Sequence, residues 1–226
     1  DPKRVVADRR FTRRELGLPD TGFVFCCFNN NFKIVPFIFD IWMRLLRAVP
    51  GSVLWLREVN KEAAQNLRAE AEKRGIAAAR LVFAPRMSLL EDHLARQRAA
   101  DLSLDTCYFN GHTKTSDALW AGLPVITCPG ETFASRVAAS ALVAAGAPEL
   151  VAPSWQAYEA LALELATHPD RLREIRNALA VGRTSCSLFD IGRYTRSLEE
   201  AYVRIWQRNQ QGLAPEDTRV VDAAPD

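Results

Sequence analysis

Short strand-like runs recur at residues 23–28, 52–56, 81–84, 101–105 and 124–128 (FVFCCF, SVLWL, LVFA, DLSLD and PVITC), and a turn and a stretch of helical periodicity follow each of them. Runs this short and this apolar suit strands buried on both faces of a parallel sheet. Alternation with helices then demands right-handed crossovers that place helices on both faces. The expected fold class is therefore α/β, a doubly wound, Rossmann-like parallel sheet. In its commonest strand order, 3-2-1-4-5-6, the first and fourth strands are neighbours where the winding reverses, and ligands bind outside their carboxyl ends. Those ends are residues 29–33 (NNNFK) and 105–113 (DTCYFNGHT).

Helices are predicted over 36–48, carrying Phe39, Trp42, Leu45 and Leu46, and over 61–74, where Gly75 ends the run. A short helix over 90–97 puts His93 and Arg96 on neighbouring positions of one face. Small residues fill a predicted helix at 134–145, and 149–151 reads as a short sixth strand. Residues 154–183 hold two helices divided at His168-Pro169-Asp170, with Pro169 at a helix start. A short helix is also predicted within 11–19, stopped by Gly17 and Pro19. Trp42, Trp55 and Trp120 read as core. The chain thus divides into a lead-in at 1–22, a ligand-binding α/β lobe at 23–188, a final helix at 189–209 and a tail at 210–226. The final helix carries Tyr194, Leu198, Tyr202, Ile205 and Trp206 on one side. The tail is low in apolar residues and rich in Pro, Ala and Asp, and is expected to be disordered.

With 29 basic against 27 acidic residues, net +2, no whole-chain field would draw in nucleic acid or a membrane surface. Anion selectivity has to be local. Five cysteines, at 26, 27, 107, 128 and 186, form no CxxC pair, which argues against a disulfide framework or a zinc site and fits a cytoplasmic setting. No apolar run reaches membrane-spanning length. The opening Asp1-Pro2-Lys3-Arg4 has neither an initiator Met nor a signal-peptide core, so the sequence reads as a piece of something longer.

At the second carboxyl end, a helix opens after Gly111, and its orphan N–H groups and positive dipole end face whatever sits above the turn. Thr113, Lys114 and Thr115 add donors beside them, and Lys33 comes from the first carboxyl end. Phosphate is the simplest ligand for such a crevice. Asp117, one turn inside the helix, can hold a polyhydroxyl group such as ribose. Plainer readings stand beside these: Thr113 as a cap, Asp117 complementing the dipole, Lys33 solvated in a turn, His93 and Arg96 facing water. The GxGxxG and GxxxxGK[ST] patterns are absent, which favours a nucleotide-sugar or another diphosphate.

Several long segments resemble the C-terminal catalytic lobe of O-linked N-acetylglucosamine (O-GlcNAc) transferases over roughly residues 15–206. They are FNNNFKI at 28–34, SVLWL at 52–56, LDT at 104–106, NGHT at 110–113, Asp117, LWAG at 119–122, PGET at 129–132 and RVAAS at 136–140. The resemblance implies one lobe of a two-lobed (GT-B type) inverting glycosyltransferase, moving N-acetylglucosamine from UDP-GlcNAc to Ser or Thr hydroxyls of acceptor proteins without a metal or other cofactor. By similarity Lys33 contacts the diphosphate and stabilises departing UDP, and Asn30, where the family usually has Gln, reaches the phosphates. Thr113 and its neighbouring N–H groups bind phosphate, Asp117 holds ribose, His93 lies against uracil and Arg96 near the base. His112 is either a ligand or a structural capping residue. Lys114-Thr115-Ser116 departs from the family's frequent Thr-Gly-Met, so Lys114 either adds a phosphate contact or only reshapes the loop. An N-terminal lobe and helical repeats, partners in such enzymes, are missing here, and the isolated chain is expected to bind UDP weakly and transfer no sugar. A small-molecule or lipid acceptor, or a non-catalytic nucleotide-binding module, are the competing readings.

Overall fold

The computed structural model describes residues 5–220. Five parallel strands, β1 (Val24–Cys27), β2 (Val53–Arg57), β3 (Leu81–Ala84), β4 (Leu102–Leu104) and β5 (Val125–Ile126), form one sheet in the order β3-β2-β1-β4-β5. This is the doubly wound arrangement expected from the alternation, with the reversal between β1 and β4. Phe25 sits beside Leu54 of β2 on one side and Leu102 of β4 on the other. Every residue of β1 is buried, which is why its run is apolar without alternation.

The covering helices are α1 (Pro36–Ala48), α2 (Lys61–Lys73), α3 (Leu90–Arg96), α4 (His112–Trp120), α5 (Val137–Ala144), α6 (Trp155–Thr167), α7 (Pro169–Gly182) and α8 (Ile191–Gln210). The apolar stripes of α1 to α7 close the core, with Trp42 of α1 and Trp55 of β2 fully buried, whereas α8 buries none of its residues. Trp42 Nε1 donates to Tyr158 Oη at 3.4 Å, and that hydroxyl donates to the Asp105 carbonyl at 3.0 Å. A buried side chain of α6 is thereby tied to the carboxyl end of β4. Trp120 is half-buried against Phe189.

Three sequence expectations are corrected. The sixth strand reduces to one parallel bridge, Thr127 to Val151, because Pro148 opens a 3-10 turn, Pro148–Leu150, that leaves only Val151 extended. The predicted helix at 11–19 is a single 3-10 turn, Arg14–Leu16, closed by Gly17 in the left-handed region at φ 70°. The small-residue helix starts late: Thr132 and Ser135 form a capping box around the 3-10 turn Phe133–Ser135, and α5 begins only at Val137.

In α8, Tyr194, Tyr202 and Trp206 are each more than 60% exposed, so its apolar side is uncovered. Residues 213–220 have no helix or strand. They lie along α8 through Arg204 Nη1 to the Arg219 carbonyl at 2.9 Å and Arg208 to Glu216 at 2.8 Å. The rest of the predicted tail, 221–226, and the first four residues of the lead-in lie outside the described residues. Among the described residues no helix is long and apolar enough to cross a membrane.

Candidate functional site

The strand order brings the segments after β1 and β4 together, and one buried carboxylate organises them. Asp105, directly beyond β4, accepts from Gly111 N at 2.7 Å, Thr127 Oγ1 at 2.8 Å and Asn29 Nδ2 at 3.2 Å. Burial pushes its carboxyl up to about 6, and these donors only partly offset that. Asn29 Nδ2 also donates to Thr106 Oγ1 at 2.8 Å, and Asn110 Nδ2 to the Thr106 carbonyl at 2.7 Å. The 105–111 turn is therefore strapped to β1, to β5 and to itself. Gly111 is required here by close approach, since a Cβ would lie 2.9 Å from Asn29 Oδ1 and 3.0 Å from Thr115 Oγ1.

Above this turn lies Lys33. Its Nζ donates to the Asn110 carbonyl at 2.8 Å and stands 3.8 Å from the centre of the Phe109 ring. Burial lowers its pKa, and the nearby Asp105 charge opposes the shift. A cation is thus fixed one residue before the N-cap of α4, where the helix's free N–H groups and dipole already favour an anion. Thr113 is exposed on that first turn. His112 stacks on Phe109 at 4.7 Å and reaches the Ala134 carbonyl from Nε2 at 3.1 Å, the contacts of a ring that positions the turn. Lys114 Nζ pairs with Asp117 Oδ2 at 3.0 Å, and the Asp117 side chain is 1% exposed.

On the β2 side, a cleft of about 370 Å³ is lined by Arg57, Arg86, Leu89, His93, Arg96 and Lys114. His93 and Arg96 share a face of α3 as predicted, but the reading that Arg96 faces water fails: it is 2% exposed. It donates to the Pro85 carbonyl at 2.6 Å and to His93 Nδ1 at 2.9 Å, and its guanidinium lies 5.0 Å from the centre of the Phe28 ring. Burial lowers its pKa to about 10. Arginine has only donors, so Nδ1 of His93 is the acceptor and the imidazole is held in one tautomer. Arg96 therefore aims His93 into the cleft.

Three positions of the candidate site, Arg57, Asp105 and Asn29, were given no role by the sequence. Arg57 Nη1 donates to Asn30 Oδ1 at 2.8 Å, which turns the Asn30 amide nitrogen away from Arg57 as a free-standing donor group. Asp105 and Asn29 form the buried frame of the crevice. The available signal was position: Arg57 and Asp105 are the first charged residues beyond the apolar parts of their strands.

The profile of glycosyl transferase family 41 matches residues 3–198. UDP-N-acetylglucosamine--peptide N-acetylglucosaminyltransferase of Caenorhabditis elegans is 40% identical over 202 residues, covering 89% of this chain and 18% of that protein. The probable enzyme of the same name, SEC, from Arabidopsis thaliana is 35% identical over 211 residues, covering 93% of this chain and 22% of its own length. A solved structure of a mutant O-GlcNAc transferase from Thermobaculum terrenum superposes with TM-score 0.80 at 34% identity, covering 84% of this chain and 37% of that one. The chain spans about a fifth of the length of the curated relatives it matches.

Proposed function

This chain belongs to glycosyl transferase family 41, and from that premise we propose that it is the donor-binding lobe of an inverting enzyme that moves N-acetylglucosamine from UDP-GlcNAc to Ser or Thr hydroxyls of proteins. The observation that carries the reading is the crevice at the β1/β4 reversal, where the fixed Lys33 ammonium stands beside the N-terminus of α4. In that crevice the diphosphate lies between Lys33, Asn30 and the first-turn N–H groups with Thr113. Asp117 takes the ribose hydroxyls, and His93 faces the base.

The chemistry follows from charge. As the acceptor oxygen attacks the anomeric carbon from the face opposite UDP, negative charge develops on the departing phosphate. A cation and a helix dipole already aimed there stabilise that charge without reorganising. They supply what a divalent metal supplies in other transferases, so the reaction is proposed to run without one. The acceptor hydroxyl and the groups that activate it belong to a second lobe, and the uncovered side of α8 is the natural surface for it. A cytoplasmic setting accords with the free cysteines Cys26, Cys27, Cys107, Cys128 and Cys186.

The test is calorimetric titration of UDP into the chain with magnesium and with a chelator, followed by a radiolabelled UDP-GlcNAc transfer assay with the second lobe added. Equal UDP affinity in both buffers, and transfer to protein only when both lobes are present, is the expected result. Metal-dependent binding, or transfer to sugar or lipid acceptors in preference to protein, would reject it.

A further inference from the structure

Lys114 and Asp117 face each other across one turn of α4, Nζ to Oδ2 at 3.0 Å. The pair is asymmetric: the Asp117 side chain is 1% exposed and short, whereas that of Lys114 is 35% exposed on a four-carbon stem. The carboxylate is fixed and the ammonium can swing. Lys114 also borders both parts of the site, the cleft shared with His93 and Arg57 and the narrow space beside Asp105 and Gly111. A group that binds Asp117 through hydroxyls has to displace a cation, and breaking a pair with a buried carboxylate is costly unless both charges find new partners.

Resting on the reading of this crevice as a nucleotide-diphosphate site, we propose that Lys114 is a specificity residue that makes the phosphate a condition of ribose recognition. Its ammonium pairs with the carboxylate that ribose uses. A nucleotide brings phosphate oxygens to the same helix end, so the ammonium transfers to them while the ribose hydroxyls take its place on Asp117. A nucleoside displaces the ammonium and offers it nothing. The crevice thereby rejects uridine, the dephosphorylated form of its ligand, by more than the lost phosphate contacts alone.

The experiment is calorimetric titration of uridine and of UDP, separately, into the full chain as wild type, Lys114→Met and Lys114→Arg. The methionine variant is expected to bind uridine about tenfold more tightly and UDP about tenfold more weakly, while the arginine variant keeps the wild-type preference. Changes of the same sign for both ligands, or none, overturn the proposal and leave the pair as a helix-turn contact. Salt gives a second measure on the wild type, should the methionine variant not fold. Raising ionic strength loosens the pair and is expected to tighten uridine binding while weakening UDP binding; parallel weakening of both is the contrary result. If wild-type chain binds neither ligand, the donor-site reading itself falls and takes this proposal with it. Binding of UDP with an unresponsive uridine affinity sinks the proposal alone.

Discussion

The Lys33 ammonium stands 3.8 Å from the centre of the Phe109 ring and donates to the carbonyl of the next residue, Asn110, at 2.8 Å. The cation that comes from the β1 side is therefore anchored to the turn that comes from the β4 side. Neither segment alone holds both a cation and a helix N-terminus; the contact between them brings the two together.

In the proposed donor site, replacing Lys33 with Ala removes one charge-assisted contact to the diphosphate. The expected loss is about 1.5–3 kcal/mol, roughly ten- to over a hundredfold in UDP affinity, with little change in thermal stability. The pH dependence has a definite sign. Burial lowers the Lys33 pKa, so in the free chain the cation is complete below that lowered value and is lost as pH rises through it. UDP affinity in the wild type should fall on the alkaline side before the ordinary lysine range is reached, and Lys33→Ala should abolish that fall. Calorimetry across pH 7–10 would read it, and an identical alkaline profile in the two proteins would exclude Lys33 as the titrating group.

The Asp105 carboxyl is shifted in the other direction, upward. Its folded-state carboxyl is raised from 3.8 to about 6 by burial, so the folded chain holds a proton that the unfolded chain has released between those values. The contribution to stability is fully present below the unfolded value and is lost as pH rises through about 6, an upper bound of roughly 3 kcal/mol. Wild type should therefore gain stability relative to Asp105→Asn on going from pH 7 to pH 4. Urea denaturation of both proteins at four pH values measures the difference, and a difference that is flat with pH contradicts the assignment.

The sheet was readable because strands buried on both faces announce themselves as unbroken apolar runs, as β1 does. Lys33 was readable for a related reason: it is a charged residue at a strand's carboxyl end, beside the reversal point. What depended on contacts between distant segments was not readable. The bond from Arg57 to Asn30 spans 27 residues and exists only because β1 and β2 are neighbours. Arg96 has the sequence signature of a surface arginine, yet tertiary packing buries it beneath Phe28 and Trp55. The apolar pair Leu150-Val151 looked like a strand, but the turn set by Pro148 took Leu150 out of extended geometry. Lys114 and Asp117 could each be picked out as candidate ligands, whereas their pairing was settled by side-chain reach.

Gly111→Ala tests how closely the turn is fitted. The backbone there is at φ −81°, which any residue adopts, so the cost is purely steric. A Cβ placed 2.9 Å from Asn29 Oδ1 and 3.0 Å from Thr115 Oγ1 forces Asn29 to move and disturbs its bonds to Asp105 and Thr106. The expected destabilisation is about 1–3 kcal/mol, accompanied by weaker UDP binding. Gly212→Ala, at φ 67° near the end of the described chain, is a useful contrast: it costs stability through backbone strain and should leave UDP binding untouched. Equal effects of the two variants on UDP affinity would show that the turn is not specially fitted.

Arg57 and Asn30 should behave as a unit. With Arg57 donating to its oxygen at 2.8 Å, the Asn30 amide is oriented with its nitrogen directed away from Arg57, and a nitrogen donor is what a phosphate needs. Asn30→Ala removes the donor, and Arg57→Met frees the amide to rotate and present oxygen to an anion. If Arg57 acts through Asn30, the double variant should weaken UDP binding hardly more than the worse single variant, giving a coupling of about 0.5–3 kcal/mol in a double-mutant cycle. Arg57 also borders the cleft itself, so a direct contact with the ligand is the rival account. That account predicts additive losses, because each side chain then touches the nucleotide independently. Calorimetry on the four proteins separates the two, and uridine serves as the control: a coupling that persists without any phosphate would place the pair's effect on the nucleoside end of the crevice.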